Sequence, residues 1–303
     1  MLNDKKLKFY KLIKNKIKSI YNEITRNSEV NCKGFMFSNS IVPVKINNKA
    51  LQYNNLKSGY GNLIYSSFTN LLLFLTNITT HPNFNKQCKY MNEYNLSNNS
   101  IFLDLGCGYG LPCFHTLILI GCKVVGIELM EERIKYAEYF KNTKLLKYYQ
   151  NNNIFQELNI ESSIDKIFCT NKDIFKDEFK CSKLIQNCNK IQYNLSKYLN
   201  LNDILFEHND IFANEYLFFS GKKYFSHVYL YGKLFFIKEN IDKYGKMFAN
   251  LLNNSNFKVL ITNLTINDIK YYGFENLYFI DSFIGTSTNG GQRFQFTIFV
   301  KIA

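Results

Sequence analysis

Two neighbouring stretches of sequence decide the fold: Ile101-Phe-Leu-Asp-Leu-Gly-Cys-Gly-Tyr-Gly-Leu-Pro112 and, shortly after it, Val124-Val-Gly-Ile-Glu128. An apolar run ends in an acid and three glycines, an apolar stretch predicts a helix, and a second apolar run ends on another acid. Glycines let the backbone N–H groups approach a ligand, and a helix start adds a partial positive field. A carboxylate at the tip of the second strand can accept both hydroxyls of a ribose. The pattern therefore predicts a site for a nucleoside-like ligand, with a tight turn lacking a ligand as the alternative.

The glycine spacing separates two kinds of cofactor. A dinucleotide site requires Gly-x-Gly-x-x-Gly, but Leu111 occupies the third glycine position here. Asp104-x-Gly106-x-Gly108-x-Gly110 instead resembles the first signature of the class I methyltransferases that use S-adenosylmethionine (SAM). The resemblance implies that Asp104 lies near the methionine part of SAM and that Glu128 holds the ribose. An NAD-dependent oxidoreductase is disfavoured further because no catalytic Tyr-x-x-x-Lys is evident.

The remaining pattern predicts an α/β protein, and the resemblance implies that it has the Rossmann-like class I methyltransferase fold. We expect a mostly parallel seven-stranded sheet with an antiparallel C-terminal hairpin, because strands alternate with helices until the last two. The strands are predicted at 101–104, 123–127, 204–207, 227–231, 257–262, 276–281 and 293–300. Helices are predicted at 2–26, 63–78, 111–120, 130–141 and 239–253.

Two regions flank or interrupt this pattern. Residues 1–58 form a predicted basic, helical N-terminal region with short extended pieces, and residues 59–303 form the methyltransferase domain. Residues 1–60 carry a net charge of +9 out of +13 for the chain, which makes nucleic acid or an acidic protein surface a candidate partner. The alternatives are compositional drift, a helix packed on the domain with a solvated lysine face, and a membrane-surface helix. Residues 142–200 are an Asn- and Lys-rich insertion, predicted to hold helical pieces and mobile loop but no clean strand.

The composition indicates in which cellular environment the protein works. Its eight cysteines form no Cys-x-x-Cys pair and no zinc-like spacing with the four histidines, so no metal site is predicted. With no apolar secretory leader at the N-terminus, we expect a reducing, intracellular setting in either nucleus or cytoplasm. The longest apolar run, Leu71–Leu75, is far short of a bilayer span, so a soluble protein without membrane contact is expected. The oligomeric state is left open.

A third strand and a fourth strand contribute further candidate residues. The third ends in Glu207-His-Asn-Asp210. The resemblance to class I methyltransferases implies that Asp210, with Asn209 as reserve, lies near the adenine amine, and a turn aspartate is the alternative. The loop after the fourth strand faces the SAM methyl group in this fold. Many amine methyltransferases carry Asn/Asp-Pro-Pro-Tyr there, whereas this chain has Leu230-Tyr-Gly-Lys-Leu-Phe235. DNA adenine and glutamine methylation are therefore disfavoured.

A narrower resemblance extends over residues 55–141 and 204–303. Four motifs follow one another in an order that resembles the catalytic domain of the Dot1 family, the non-SET histone H3 lysine methyltransferases. They are Tyr60-Gly61-Asn62, the Asp-Leu-Gly-Cys-Gly-Tyr-Gly turn, Gly126-Ile-Glu-Leu129 and Lys135-Tyr-Ala-Glu138. The tail Ile284–Ile298 resembles that family's closing hairpin. The chain departs from the family pattern at Asn62, which replaces a glutamate, at Tyr231-Gly-Lys-Leu-Phe235, which lacks an asparagine, and at Asn289, which replaces a tryptophan.

The resemblance implies methyl transfer from SAM to a protein lysine, with histone or nucleosome as candidate substrate. Tyr60 and Tyr231 are the candidate substrate-side residues, and no dedicated base is required because an apolar channel disfavours the lysine ammonium. A tRNA, rRNA or small-molecule methyltransferase is one alternative. A SAM-binding subunit without catalytic activity is another.

Overall fold

The computed structural model describes residues 63–84, 91–145, 201–212, 225–231, 241–286 and 293–302, the backbone of four short strands outside them, and five helical residues between 11 and 22. In chain order the strands are β1 (Val42–Ile46), β2 (Lys49–Tyr53), β3 (Ile101–Leu105), β4 (Lys123–Glu128), β5 (Ile167–Cys169), β6 (Ile191–Tyr193), β7 (Ile204–His208), β8 (His227–Leu230), β9 (Val259–Thr262), β10 (Leu277–Thr286) and β11 (Arg293–Lys301). The α-helices are α1 (Tyr65–Leu75), α2 (Leu111–Ile120), α3 (Glu131–Tyr139), α4 (Ile241–Asn253) and α5 (Ile266–Tyr272).

Seven strands form one sheet in the order β10-β11-β9-β8-β3-β4-β7. The neighbours from β9 to β7 run parallel, and β11 joins β9 antiparallel and pairs with β10 as a hairpin. The chain builds outward from β3 through β4 to β7, then crosses to β8 on the other side of β3. The strand order therefore reverses between β3 and β8, which is where open α/β sheets bind ligands. The predicted fold class and the closing hairpin are confirmed.

The four central strands β9, β8, β3 and β4 are buried on both faces, because helices cover both sides of the sheet there. Along β3, Phe102 belongs to one core cluster and Leu103 to the other. The first cluster includes side chains of α1, α2 and α3, and the second includes side chains of α4 and α5. Helix α2 is buried at all ten residues, which is why its sequence is apolar on every side.

Most predicted elements differ from the observed ones only at their ends. Helix α5 differs more, because it was not predicted at all. Its start is a capping box, in which Thr265 Oγ1 accepts the Asp268 N–H at 3.1 Å and Asp268 Oδ2 accepts the Thr265 N–H at 2.8 Å. The Thr-x-x-Asp spacing was the available signal, but a helix of seven residues is too short to show a clear hydrophobic period.

The insertion also differs from its prediction. The three-residue strands β5 and β6 pair antiparallel with Ile167 opposite Tyr193, so the expectation of no strand in 142–200 is wrong at these positions. Residues 142–145 complete a π-helical turn that begins at Phe140. The predicted helical pieces and mobile loop fall outside the described residues.

The N-terminal region is described at few positions. The five described residues between 11 and 22 are helical and exposed, as the predicted helix over 2–26 requires. Lys18 Nζ lies 5.4 Å from the centroid of the Tyr65 ring at the start of α1. The extended pieces predicted within 28–58 correspond to β1 and β2, which form an antiparallel hairpin. In the part of the chain that is described, no helix has the length and apolarity to cross a bilayer.

One packing contact between α4 and α5 gives a first stability prediction. A Cβ placed on Gly245 would lie 2.4 Å from two carbons of the Tyr272 ring, which packs over the glycine. Gly245→Ala is therefore expected to destabilise the protein by about 1–2 kcal/mol, because overpacking outweighs the gain in helix propensity. Urea unfolding measures the change, with the exposed neighbour Lys246→Ala as control. A Gly245→Ala variant as stable as the control would contradict this packing.

Candidate functional site at the carboxyl edge of the sheet

The predicted cofactor residues meet at the carboxyl ends of β3, β4 and β7. Asp104 lies on β3, the three glycines follow it, Glu128 ends β4, and Asp210 follows β7. The parallel register places these strand ends side by side, with Leu105 opposite Ile127 and Glu128 opposite His208. The structure therefore brings together all six residues that the sequence analysis assigned to the cofactor: Asp104, Gly106, Gly108, Gly110, Glu128 and Asp210.

The glycine turn is fixed to the end of β4. The N–H groups of Gly106 and Cys107 both donate to the Ile127 carbonyl oxygen, at 2.8 and 2.9 Å. Gly106, Gly108 and Gly110 have φ values of 82°, 55° and 79°, in the left-handed region that favours glycine. Gly110 is the N-cap of α2 and has no capping side chain, so the helix begins with its first N–H groups at this edge of the sheet.

Glu128 connects the glycine turn to α3. Its Oε2 accepts the Gly108 N–H and its Oε1 accepts the Met130 N–H, each at 2.9 Å. The side chain is 6% exposed. Each carboxylate oxygen has two lone pairs, so both can accept a second hydrogen bond from a ligand hydroxyl.

Asp104 is a buried acid with few polar neighbours. It is 1% exposed, and the Cys113 thiol donates to its Oδ2 at 3.4 Å. Burial, with a smaller contribution from the charge of Glu128, raises the pKa of Asp104 to about 8. A cation placed beside Asp104 would favour the ionised carboxylate.

The turn after β7 is tied to the same edge. The Asn209 N–H donates to the Glu128 carbonyl oxygen at 3.0 Å, and the Asn209 Oδ1 accepts the Asp210 N–H at 2.9 Å. The Asp210 Oδ1 accepts the Phe212 N–H at 2.9 Å, which is a turn-type contact. The turn role weighed as the alternative for Asp210 is thus present, and its buried carboxylate also lies at the predicted site.

An aromatic wall continues this edge beyond β8. Tyr231 directly follows Leu230, which pairs with Leu105 of β3. The Tyr231 ring stacks on Phe296 at 5.5 Å and meets Phe294 edge-on at 5.9 Å, and Phe283 stacks on Phe296 at 5.3 Å. We call Tyr231, Phe283, Phe294 and Phe296 the aromatic wall. Phe294 is 37% exposed, so the wall reaches the surface at this edge.

The other predicted substrate-side residue, Tyr60, lies outside the described residues, as do Asn62, Phe235 and Asn289. The substrate-side role of Tyr60 therefore stays a prediction.

Arg133 and Tyr109 are site residues that the sequence analysis missed. Arg133 lies on α3, is 8% exposed, and places a guanidinium nitrogen 3.7 Å from Glu128 Oε2. Tyr109 lies between two of the glycines and is 6% exposed. For Arg133, the sequence shows only a basic residue five positions after Glu128. A charged residue on the exposed face of a surface helix would give the same pattern.

The cysteines of the site are thiols. Burial raises the pKa of Cys107 to about 11 and that of Cys113 well above its ordinary value. Among the described residues, no group of three or more His, Cys, Asp or Glu side chains could hold a metal ion. The described residues at this edge present three buried carboxylates, those of Asp104, Glu128 and Asp210, together with backbone N–H groups, the Arg133 guanidinium and aromatic rings.

Solved methyltransferase structures resemble this chain at low identity. The magnesium protoporphyrin IX methyltransferase of Synechocystis PCC 6803 with bound SAM is 11% identical, with a TM-score of 0.40, over 80% of this chain and 86% of that one. The N-methyltransferase NodS of Bradyrhizobium japonicum WM9 is 10% identical, with a TM-score of 0.36, over 68% and 88%. TrmK of M. capricolum, bound to S-adenosyl-homocysteine, is 8% identical, with a TM-score of 0.34, over 69% and 65%. The fold assignment therefore rests on the observed strand order.

Comparison of the sequence with known proteins and protein families is more specific than comparison of the structure. No curated protein matches the chain. The profile of the family described as histone methylation protein DOT1 matches residues 47–216, which include β2, the glycine turn, Glu128 and Asp210. Because this match covers more than half of the 303 residues, the chain belongs to the Dot1 family of methyltransferases, whose methyl donor is S-adenosylmethionine.

Proposed function

We propose that this protein transfers a methyl group from SAM to the side-chain amine of a lysine in a protein, with a histone as the first candidate substrate. The observation that carries the proposal is the aromatic wall, which begins at Tyr231 beside the glycine turn. The family description, histone methylation, supports the same substrate class.

The buried polar groups fit the cofactor. Glu128 would accept hydrogen bonds from the ribose hydroxyls, and Asp210 would accept one from the adenine amine. Asp104 would lie beside the ammonium group of the methionine part. The turn at Gly106, Gly108 and Gly110 lets the ligand approach the backbone closely. When bound, SAM supplies an activated methyl group on a sulfonium. A cationic group beside Asp104 would also relieve the cost of ionising this buried acid, whose pKa is about 8 without it.

The aromatic wall would prepare the acceptor. Methyl transfer needs a neutral amine in line with the methyl carbon, at roughly 3 Å. Aromatic and apolar surroundings disfavour the lysine ammonium by desolvation, and the amine can then lose its proton to solvent before transfer. The rings of Tyr231 and Phe294 would hold the lysine side chain in position. The enzyme's contribution is therefore orientation and exclusion of water.

Removing part of the aromatic wall should reduce turnover without reducing cofactor binding. We expect Phe294→Ala to lower kcat/KM for a protein substrate by roughly 10-fold, because one of the two rings that would hold the lysine side chain in position is lost. Affinity for S-adenosylhomocysteine, measured by calorimetry, should stay within about twofold. Phe279→Ala is the matched control, since Phe279 is equally exposed at 37% but lies towards the other end of the β10–β11 hairpin, opposite Phe299. Equal losses in both variants would contradict a role for the wall.

The substrate class is tested with radiolabelled SAM and two forms of the same acceptors. Core histones and total cell protein are used either native or after acetylation of their lysines, which blocks the amines by converting them to amides. Label that enters native but not blocked protein supports lysine methylation, and the labelled band tests the histone assignment. Label that persists in blocked protein, or that only nuclease releases from a whole lysate, would overturn the proposal. The latter result would favour RNA and a role for the basic N-terminal region.

A further inference from the structure

We infer that Arg133 is a positioning residue for the cofactor, which holds Glu128 and Tyr109 in the arrangement that receives the ribose. The inference rests on SAM as the cofactor and is independent of the methyl acceptor. It concerns α3, an element to which the sequence analysis assigned no functional residue.

The first step is the ion pair with Glu128. Arg133 approaches Glu128 Oε2 at 3.7 Å, and the same oxygen accepts the Gly108 N–H at 2.9 Å. Both side chains are at least nine-tenths buried. Few water molecules can therefore screen the pair, and the guanidinium limits the positions that the carboxylate can take.

The second step is the contact with the glycine turn. The Arg133 guanidinium lies over the Tyr109 ring, 5.9 Å from its centroid, which is within the range of a cation–π contact. Tyr136, one turn further along α3, meets the same ring edge-on at 5.4 Å. Arg133 therefore joins the end of β4, the glycine turn and α3 at one point.

The third step is electrostatic. Asp104 and Glu128 are two buried acids whose charges interact, since Glu128 contributes to the raised pKa of Asp104. Arg133 pairs with Glu128, so it offsets the cost of burying the negative charge of that carboxylate. A neutral side chain at position 133 would leave the carboxylate of Glu128 buried beside another acid and without its partner.

The experiment measures binding of S-adenosylhomocysteine by calorimetry, so it requires no methyl acceptor. Arg133→Met, which keeps the length of the side chain, is expected to raise the Kd by roughly 10-fold, the effect of losing one charge-assisted contact. Arg133→Lys should recover part of this loss. Lys135→Met is the matched control, because it removes one positive charge from the same helix where the side chain is 69% exposed and pairs with Glu131. The control should leave the Kd within about twofold.

A double-mutant cycle separates positioning from a general structural role. If Arg133 acts through Glu128, Arg133→Met should change the Kd by less than about twofold when Glu128→Gln is already present. Thermal unfolding of each variant verifies that it is folded. An unchanged Kd in Arg133→Met, or equal losses with and without Glu128→Gln, would overturn the inference while leaving the cofactor assignment intact. A wild-type protein that does not bind the ligand would overturn both.

Discussion

Asp104→Asn is expected to stabilise the ligand-free protein at neutral and basic pH by a few kcal/mol, an order-of-magnitude figure from the pKa shift. Burial raises the pKa of Asp104 from 3.8 in the unfolded chain to about 8 in the folded protein. The folded state therefore holds a proton that the unfolded state has lost, and this acid's contribution to stability falls as pH rises from about 4 to 8. A neutral carboxamide avoids that loss and keeps one donor group and one acceptor.

The pH dependence of this effect is its control. The free energy of unfolding, from urea titrations, should favour the variant increasingly between pH 5 and pH 8, by roughly 1.4 kcal/mol per unit at most. Near pH 4 the two proteins should be nearly equally stable. A difference that does not change with pH would show that Asp104 is ionised in the folded protein, contrary to this prediction.

The same substitution should weaken cofactor binding at pH 8. We expect Asp104→Asn to raise the Kd of S-adenosylhomocysteine by about 10-fold or more, since the carboxylate that would face the ligand's ammonium is gone. Methylthioadenosine, which lacks the amino-acid part, is the matched probe and should bind both proteins equally. In the wild type, affinity for S-adenosylhomocysteine should rise with pH up to about 8, because binding then requires the loss of fewer protons. Equal weakening of both ligands would place Asp104 elsewhere in the site.

Gly110→Ala is expected to destabilise the protein by about 3 kcal/mol or more, from backbone strain together with a steric clash. Gly110 has a φ of 79°, and a Cβ there would lie 2.6 Å from Cζ of the buried Phe206 ring. The ring also packs edge-on against Phe114 at 5.4 Å, so it has little room to move. The glycine turn would have to shift, and cofactor affinity should fall with stability.

Gly273→Ala separates strain from clash. Gly273 has a φ of 82°, but a Cβ there would meet nothing within 4 Å. Only the cost of a left-handed alanine remains, about 1–2 kcal/mol. Urea unfolding of both variants gives the difference, and calorimetry with S-adenosylhomocysteine should show a loss for Gly110→Ala alone. Equal destabilisation in the two variants would mean that Phe206 does not restrict the turn.

Local sequence was sufficient to predict the glycine turn and the two acids that flank it. Glycines at spacings of two, an acid before them and an acid at the end of the next apolar run leave few conformations open, because positive φ at 106, 108 and 110 requires glycine and the strands on either side are continuous apolar runs. Helix α2 was predicted with its observed bounds, because a glycine caps each of its ends, Gly110 at the start and Gly121 at the finish. The short helix α5 was missed because seven residues show too little periodicity.

The long-range contacts could not be predicted in the same way. The aromatic wall joins Tyr231 to Phe283, Phe294 and Phe296, more than fifty residues further along, through a hairpin register that includes an irregularity between Phe279 and Asp281. In a chain with 28 phenylalanines and 22 tyrosines, no single ring stands out by sequence. Arg133 became a site residue only when α3 packed beside the glycine turn and buried its guanidinium against Glu128. The sequence by itself thus determined the glycine turn and its two acids, because backbone sterics and strand burial act locally. The tertiary structure alone decided which cation and which aromatic rings surround them, because those contacts depend on how distant elements pack.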